Sequence, residues 1–417
     1  MHEVTYFIRG RCYRSDDPLF QQALASVHES SERPRCMCVT GGVEMYVAKH
    51  GEYVIKRMPG TGNLHQVACS SFEPPASFSG LGELMGEAIV EHAPEQVEIR
   101  TAFPLSRAPG RPLPRGQPQD DPPSVSAPRK RMSLRAVLHF LYDRARFNRW
   151  YPAMDGRRTQ AVFSTYLTAA AHGVMLKGGS LEERLYVPEQ FRPADAEMIA
   201  ERRHRKLSVL ISPQTDVQFA MALLIGQLKG SEASPYGRRL AIKHMPDVGL
   251  YIDTKAWERA ERAYGAILQA LDADVERKPR IVIVALIYAK REHMYQIDSL
   301  ALMLTTDQWI PLDGLYELPL VEELQRQGRS FIKPLKYDAR SAASFPNALL
   351  VDAGSAPVPL HVLSPFMTSQ DAASKQKAVR ALGDGAWLWE TEKHLPVFPA
   401  RVTRAAGGIA SAPAPGS

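Results

Sequence analysis

The segments C-M-C at residues 36–38 and H-Q-V-A-C at residues 65–69 bound the stretch on which the N-terminal fold depends. They hold three of the four cysteines of the chain and one histidine. Side chains two residues apart on a strand point to one side, and side chains four residues apart on a helix lie one turn apart. Cys36, Cys38, His65 and Cys69 can therefore ligate a single ion. Three thiolates and one imidazole complete a tetrahedral zinc site with no open position, so the sequence predicts a structural zinc ion.

The residues between the two segments predict a β-hairpin that returns the chain to the metal. Residues 43–48 and 53–55 have the composition of short strands, and Gly51 supplies a turn between them. Isolated hairpins are marginally stable in water, and zinc ligation is a common source of stability for so small a unit. Two alternatives stay open: the cysteines are buried or redox-active thiols, or Cys12 replaces His65 as the fourth ligand.

The length and charge of the chain limit the classes of protein to which it can belong. A chain of 417 residues exceeds what one hydrophobic core organises and predicts about two to four domains. The net charge of +6 permits binding to nucleic acid or to another anionic surface. The sequence contains no secretory signal and no apolar run of membrane-spanning length, so we expect a cytoplasmic protein without membrane insertion. Clustered cysteines in a reducing compartment indicate metal binding and not disulfides.

Changes in composition along the chain predict an α+β protein of several domains. The clearest boundary is a segment rich in Pro, Gly, Ser and Gln, which is typical of an extended linker. A tail of Ala, Gly, Pro and Ser is predicted to be disordered. The predicted units are a zinc-binding N-terminal module (residues 1–103), a flexible linker (104–131), a basic winged-helix-like domain (132–206), a sheet-rich α/β domain (207–404) and the tail (405–417).

Residues 132–206 predict two helices followed by a hairpin, which is the order of a winged helix. Ser133 is a good N-cap for the first helix, Gly173 stops the second, and residues 174–176 and 185–187 have the pattern of short strands. On this interpretation basic side chains contact DNA phosphates. On the alternative interpretation, the region is a small helical domain with an ordinary basic surface. The candidate nucleic-acid contacts are Arg129, Lys130, Arg131, Arg149, Arg157, Arg158 and Lys177.

Residues 207–404 alternate strand patterns with helices. Strands are predicted at residues 207–211, 219–228, 240–243, 250–252, 280–289 and 300–305, with a helix at 254–271. The apolar run 281–287 is typical of a strand buried on both faces. The last third predicts a helix at 315–327, strands at 331–336, 347–352 and 359–363, a helix at 369–382 and a strand at 386–390. Trp387-Leu388-Trp389 in the last strand forms either buried core or a docking surface for another protein.

Short motifs are distributed over the chain: Gly10-Arg11-x-Tyr13, Asp17-Pro18-x-Phe20, Arg33-Pro34-Arg35-Cys36-x-Cys38, Arg57-Met58-Pro59-Gly60-Thr61-Gly62, His65 with Cys69, Ser71-Phe72-Glu73-Pro74-Pro75, Phe147-Asn148-Arg149-Trp150 and Leu185-Tyr186-Val187-Pro188. They resemble one bacterial family, domain of unknown function 1173, which is associated with integrative and conjugative elements and plasmids. The resemblance covers nearly the whole chain up to the tail. It implies a role in mobile-element biology, with element-encoded proteins as candidate partners, and it implies no reaction.

The last third has a second, more limited resemblance, to the core of PD-(D/E)xK nucleases. The candidate catalytic carboxylates are Asp352, Glu322 and Glu323, and Lys333 lies on a predicted strand between them. Such chemistry needs Mg²⁺ or a similar ion held by carboxylates, and a lysine that assists the attacking water. The strand that should carry Glu-x-Lys reads P-L-H-V-L at residues 359–363, so the ligand set is incomplete.

These observations lead to one preferred function and two alternatives. We expect a non-catalytic, DNA-associated accessory protein of a mobile element, with a structural zinc site. The first alternative is a metal-dependent nuclease that uses Mg²⁺. The second is a protein-interaction subunit of a transfer or defence assembly.

Overall fold

The computed structural model of the chain describes residues 4–107, 130–211, 219–271, 279–291, 294–383 and 385–402. Arg129, most of the predicted linker and the predicted disordered tail lie outside the described residues. The described residues form a mixed α+β fold with several sheets, as the sequence predicts.

Several helices begin where a side chain accepts a hydrogen bond from a free backbone N–H group of the first turn. The Ser133 hydroxyl accepts from Ala136 N at 3.2 Å, which confirms the predicted N-cap. None of the helices in these ranges has the length and apolar character needed to cross a bilayer. The α-helices of the described residues are α1 (Phe20–Val27), α2 (Leu134–Arg144), α3 (Gln160–Ala170), α4 (Leu181–Arg184), α5 (Ala196–Leu207), α6 (Thr254–Leu268), α7 (Leu318–Arg326) and α8 (Ser369–Ala381).

Most strands are short, and the three longest lie in the second half of the chain. The first group is β1 (Thr5–Ile8), β2 (Arg11–Arg14), β3 (Arg35–Cys36), β4 (Val43–His50), β5 (Glu52–Arg57), β6 (Ile89–Ala93), β7 (Gln96–Ile99), β8 (Ser106–Arg107), β9 (Arg149–Trp150), β10 (Val174–Leu176), β11 (Gly179–Ser180) and β12 (Leu185–Tyr186). The second group is β13 (Phe219–Ala220), β14 (Ala222–Ser234), β15 (Gly237–Ile242), β16 (Gly249–Asp253), β17 (Arg280–Arg291), β18 (Met294–Thr305), β19 (Pro311–Leu312), β20 (Phe331–Ile332), β21 (Ala348–Leu350), β22 (Val358–Leu363) and β23 (Trp387–Glu390).

The first five strands form one antiparallel sheet in the order β2-β1-β3-β4-β5. The hairpin β4–β5 is the one that the sequence predicts between the two ligand segments. Leu24 of α1 and Met45 of β4 are buried in the core beside this sheet. The same core contains Ile332, Leu349 and Val351 from the last third of the chain. The N-terminal sheet therefore shares its core with the C-terminal sheet.

Three further sheets combine strands that lie far apart in the sequence. β10 pairs in parallel with β7, β13 pairs with β8, and β9 pairs with β20. The C-terminal sheet has the order β23-β22-β21-β20-β9, and α8 connects its parallel strands β22 and β23. Strands from regions predicted as separate domains thus pair with one another.

The largest sheet closes into a barrel. β14 pairs with β15, β15 with β16, β16 with β18 and β18 with β17, and β17 pairs again with β14. The side chains of β17 alternate between two cores. Ile283 and Ala285 lie inside the barrel, whereas Val282 and Val284 pack outside it in the core that contains helix α2. β17 is therefore buried on both faces, as its apolar run predicts.

Two predicted strand arrangements are wrong. Residues 174–176 and 185–186 do not form the predicted wing hairpin, because the short helix α4 separates them. β10 pairs instead with β7 and β11, and β12 pairs in parallel with β14. Residues 207–211, predicted as a strand, end α5 and continue as a 3₁₀ turn. This geometry brings Leu207 and Leu210, three residues apart, into one core.

A buried histidine on α2 makes the stability of the fold sensitive to acid. His139 is 7% exposed, and its Nδ1 accepts from the backbone N–H of Tyr337 at 2.8 Å. Burial and the positive charge of Arg135 lower the pKa of His139 from 6.5 to about 3. Between these two pH values the unfolded chain binds a proton that the folded chain does not. Acidification therefore removes stability, by at most about 1.4 kcal/mol per pH unit from this group.

We expect His139→Gln to reduce the loss of unfolding free energy between pH 6.5 and pH 4, because glutamine keeps an acceptor but does not titrate. Urea unfolding at each pH measures this loss for the variant and the wild type. His394→Gln, at an exposed position, is the control and should follow the wild type. The same pH dependence in wild type and His139→Gln would contradict the prediction.

Candidate metal centre

Two separate parts of the chain bring the four candidate ligands together. Cys36 lies on β3, between β1 and β4, so the middle of the N-terminal sheet determines its position. Cys38 follows in the turn that leads to β4. His65 and Cys69 lie in the loop after β5, where His65 follows a 3₁₀ turn at Gly62–Leu64. The loop therefore places its two ligands against the start of the predicted hairpin.

The donor atoms of these residues have the spacing of a tetrahedral site. Cys36 Sγ and Cys69 Sγ are 3.7 Å apart, and Cys38 Sγ is 3.3 Å from His65 Nδ1. Cys69 Sγ is 3.8 Å from the same nitrogen, and all four donor atoms lie within 4.8 Å of one another. Zinc–sulfur bonds of about 2.3 Å in a tetrahedron separate two sulfur atoms by about 3.8 Å. The four residues can thus hold one metal ion.

Burial and hydrogen bonding distribute the charge of the cluster unevenly. Cys36, His65 and Cys69 are buried, and Cys38 is half-buried. Hydrogen bonding between Cys36 and Cys38 lowers the pKa of the Cys38 thiol and raises the pKa of the Cys36 thiol. Burial lowers the pKa of His65, but hydrogen bonds to the Cys38 and Cys69 sulfur atoms outweigh this effect and raise it to about 9. The backbone N–H of Ser71 donates to Cys69 Sγ at 3.4 Å and supports that ligand.

The ligand set resembles a closed structural site more than a catalytic one. Four protein donors saturate a tetrahedral ion and leave no position for a substrate. Cys12, the alternative fourth ligand, is exposed and is not part of the cluster, so His65 completes the set. The His65 Nε2 atom is buried without a hydrogen-bond partner among the described residues, so packing and the Nδ1 contacts hold the ring.

Comparison with known proteins identifies the family of the chain. The family model described as "Protein of unknown function (DUF1173)" matches residues 6–392. The chain belongs to the DUF1173 family. The match confirms the family resemblance of the sequence motifs, and its span includes all four candidate ligands. No curated protein and no solved structure matches the chain.

In this DUF1173 chain, arginine side chains engage two of the predicted catalytic carboxylates. The buried Arg329 donates from Nη2 to Asp352 Oδ1 at 2.8 Å. Glu323 accepts from Arg326 Nε at 2.7 Å on α7, and Glu322 is half-buried on the same helix. Within the described ranges, no group of three or more metal-ligating side chains includes any of these carboxylates.

A buried polar cluster that the sequence did not reveal lies between α7, α8 and the C-terminal sheet. Glu317 Oε2 accepts from Lys333 Nζ at 2.8 Å, and the Asn347 amide donates to Glu317 Oε1. Lys375 Nζ on α8 donates to Asn347 Oδ1 at 2.9 Å. All four side chains are at most 3% exposed, which favours a structural role over contact with a substrate. Of the four, only Lys333 lies in a motif that stood out in the sequence.

Two of the candidate nucleic-acid contacts face the interior of the protein. Arg149 and Arg158 are 2% and 8% exposed. Arg149 donates to the carbonyl of Phe72, and Arg158 donates to the carbonyl of Phe147 at 3.0 Å. Both guanidinium groups are thus engaged by backbone carbonyls of the chain itself.

The remaining candidate contacts in the described residues lie on the surface. Lys130 donates to the carbonyl of Glu83 at 2.9 Å. Arg131, Arg157 and Lys177 are exposed, and within the described ranges these three side chains have no ion-pair partner. They are the members of the predicted set that are free to contact a phosphate group.

The tryptophans of β23 take part in the core of the C-terminal region. Trp387 and Trp389 are 8% and 5% exposed. The indole N–H of Trp387 donates to the carbonyl of Val397 at 3.1 Å, and that of Trp389 donates to the carbonyl of Lys393 at 2.9 Å. This burial agrees with the core interpretation of Trp387-Leu388-Trp389.

We expect Lys333→Met to destabilise the protein by about 3–5 kcal/mol, because it removes the cation that is paired with the buried Glu317 carboxylate. Denaturant unfolding followed by circular dichroism measures the change. The double variant Lys333→Met, Glu317→Gln removes both charges and should regain part of the loss. A loss of less than about 1 kcal/mol in the single variant would argue that the pair is not a buried ion pair.

Proposed function

We propose that Cys36, Cys38, His65 and Cys69 bind one structural zinc ion in a non-catalytic, DNA-associated accessory protein of a mobile genetic element. The observation that carries the zinc assignment is the closed set of four donor atoms within 4.8 Å. Thiolates and imidazole are the donors that zinc takes in structural sites, and hard cations prefer oxygen. The association with mobile elements follows from the family resemblance.

The position of the cluster supports a structural role for the metal. Two of its candidate ligands come from the sheet and the turn after β3 and two from the loop after β5, so an ion would join these two parts of the chain. Val67 and Phe72, which flank ligands of the loop, are buried in the same core as Leu349 of β21. A metal that orders this loop therefore also stabilises the contact with the C-terminal sheet.

The charge of the chain supports the proposed association with DNA. The net charge is +6, and Arg131, Arg157 and Lys177 are exposed without ion-pair partners in the part of the chain that the structure describes. Arginine and lysine side chains of this kind contact phosphates without reading sequence. The proposal is one of binding and not of cleavage, because Arg329 already engages Asp352.

We expect the purified protein to contain about one zinc ion per chain by elemental analysis. Cys36→Ser should lose the zinc and should increase hydrogen exchange both in the N-terminal sheet and in β21, because the two share a core. Cys12→Ser is the matched control, since Cys12 is exposed outside the cluster, and it should keep the zinc. A fully folded protein without metal would refute the zinc assignment.

We expect the protein to bind duplex DNA with an affinity that falls as salt rises, with a log-log slope of about 0.9 per phosphate contact. Fluorescence anisotropy between 50 and 200 mM salt measures the slope. The double variant Arg157→Ala, Lys177→Ala should lower the slope by about 2, which corresponds to two lost contacts. Arg205→Ala, at an exposed position of α5, is the control for a lost surface charge. A slope near zero would exclude phosphate contacts.

A further inference from the structure

The connectivity of the closed barrel defines its fold type. Five strands follow one another along the chain, and the first pairs with both the second and the fourth. The third strand, β16, pairs in parallel with the fifth strand, β18, and helix α6 lies between the third and fourth strands. This is the arrangement of an oligonucleotide- and oligosaccharide-binding (OB) barrel, a five-stranded Greek-key barrel. In such barrels the face of the second and third strands and the loop between the first and second strands bind ligands.

One face of the barrel is covered by the rest of the protein and the opposite face is open. The covered face consists of outward side chains of β14, β17 and β18, among them Leu223, Val284 and Met303, which lie in the core with α2. The open face is formed by β15, β16 and the second half of β14. Arg239 and Tyr251 are paired across β15 and β16, so their side chains share this outer face. The open face is therefore the one that OB barrels use for ligands.

Two tyrosines offer aromatic surfaces on the open side. Tyr236 lies in the turn between β14 and β15 and is 89% exposed. The Tyr251 ring lies over Gly249 so closely that a Cβ atom added to Gly249 would come within 2.7 Å of it. The ring thus extends along the sheet over Gly249, where a larger side chain would collide with it. Aromatic rings laid on a sheet in this way are stacking surfaces for nucleic-acid bases, and stacking accepts any base.

The charge of the open face complements a nucleic-acid backbone. Arg239 and Lys243 are exposed at a spacing of four residues along and just beyond β15, and Lys229 is exposed on the neighbouring strand β14. In the described part of the chain, none of these three cations has an ion-pair partner. Burial and the nearby charges of Arg280 and Lys229 lower the pKa of Lys243, as expected where positive charges gather without neutralisation.

Two side chains next to this surface do not contribute to it. Arg238 donates to the Ser231 hydroxyl at 3.0 Å and stacks on Trp257, so its guanidinium group is held by the barrel. Glu232 lies opposite Arg239 on the outer face and is the acidic residue of that cross-strand row. The three cations lie near two carboxylates, Glu232 and Asp253 at the end of β16, and Asp253 Oδ1 already accepts from Ala256 N at the start of α6.

We propose that the open face of the barrel binds single-stranded nucleic acid, with bases stacked on Tyr236 and Tyr251 and phosphates in contact with Lys229, Arg239 and Lys243. The inference deepens the proposed DNA association and rests on it, but it uses a different set of residues. It names the form of nucleic acid that the barrel takes and the side chains that hold it.

Binding of fluorescent oligo(dT) and oligo(rU) to the full chain, followed by anisotropy at fixed salt, tests the proposal. Tyr236→Ser and Tyr251→Leu should each weaken binding about 5- to 150-fold, the range for loss of one base–aromatic stack. Tyr166→Leu, at a 56% exposed position of α3, is the matched control and should bind like the wild type. Because Tyr236 is almost fully exposed, its substitution tests binding even if Tyr251→Leu lowers stability. Tighter binding of one oligomer than of the other identifies which of the two strands the wild type prefers.

The outcomes separate this inference from the proposed function. Unchanged single-strand binding in Tyr236→Ser and in Arg239→Ala would overturn the barrel proposal and leave duplex binding through Arg157 and Lys177 intact. Loss of single-strand binding in the barrel variants, together with duplex binding that does not respond to Arg157→Ala and Lys177→Ala, would support the barrel and overturn the duplex surface. Absence of binding to either form in the wild type would overturn both.

Discussion

The burial of β17 on both faces is the constraint on which most of the structure depends. A strand without access to water must satisfy its backbone hydrogen bonds within the protein. β17 does so by pairing with β14 on one side and β18 on the other. These pairings close the barrel. They also place alternate side chains of β17 in the core that contains helix α2. They also leave β15 and β16 on the opposite, open side, where the proposed nucleic-acid surface lies.

The cluster of Cys36, Cys38, His65 and Cys69 has a comparable role in the core that the N-terminal and C-terminal sheets share. The N-terminal sheet and helix α1 both contribute side chains to this core. Cys36 lies beside the loop that contains His65 and Cys69. Val67 and Phe72 of that loop are buried in the same core as Ile332 and Leu349. The geometry of these four side chains is therefore coupled to packing between the N-terminal and C-terminal sheets, although all four lie within residues 36–69.

Burial decides which of the basic residues can meet a partner. Arg157 and Arg158 are neighbours in the sequence, yet one is exposed and the other is engaged by backbone carbonyls. Sequence alone gives both the same charge. Arg239 and Lys243 do not stand out in the sequence, because one precedes and the other ends an ordinary predicted strand (residues 240–243). Only the pairing of β15 with β16 places Arg239 opposite Tyr251.

The sequence by itself determined the features that depend on local spacing. These are the four candidate metal ligands, the hairpin between them, the cap at Ser133, the burial of β17 and the order of helices and strands from α7 to β23. The tertiary structure alone decided which strands pair, as with β12 and β14, and which polar groups meet, as with Glu317, Lys333 and Lys375. The physical reason is the sequence separation of the residues that interact. A local pattern sets the conformation of its own residues, whereas strand partners and buried ion pairs depend on contacts between residues far apart in the chain.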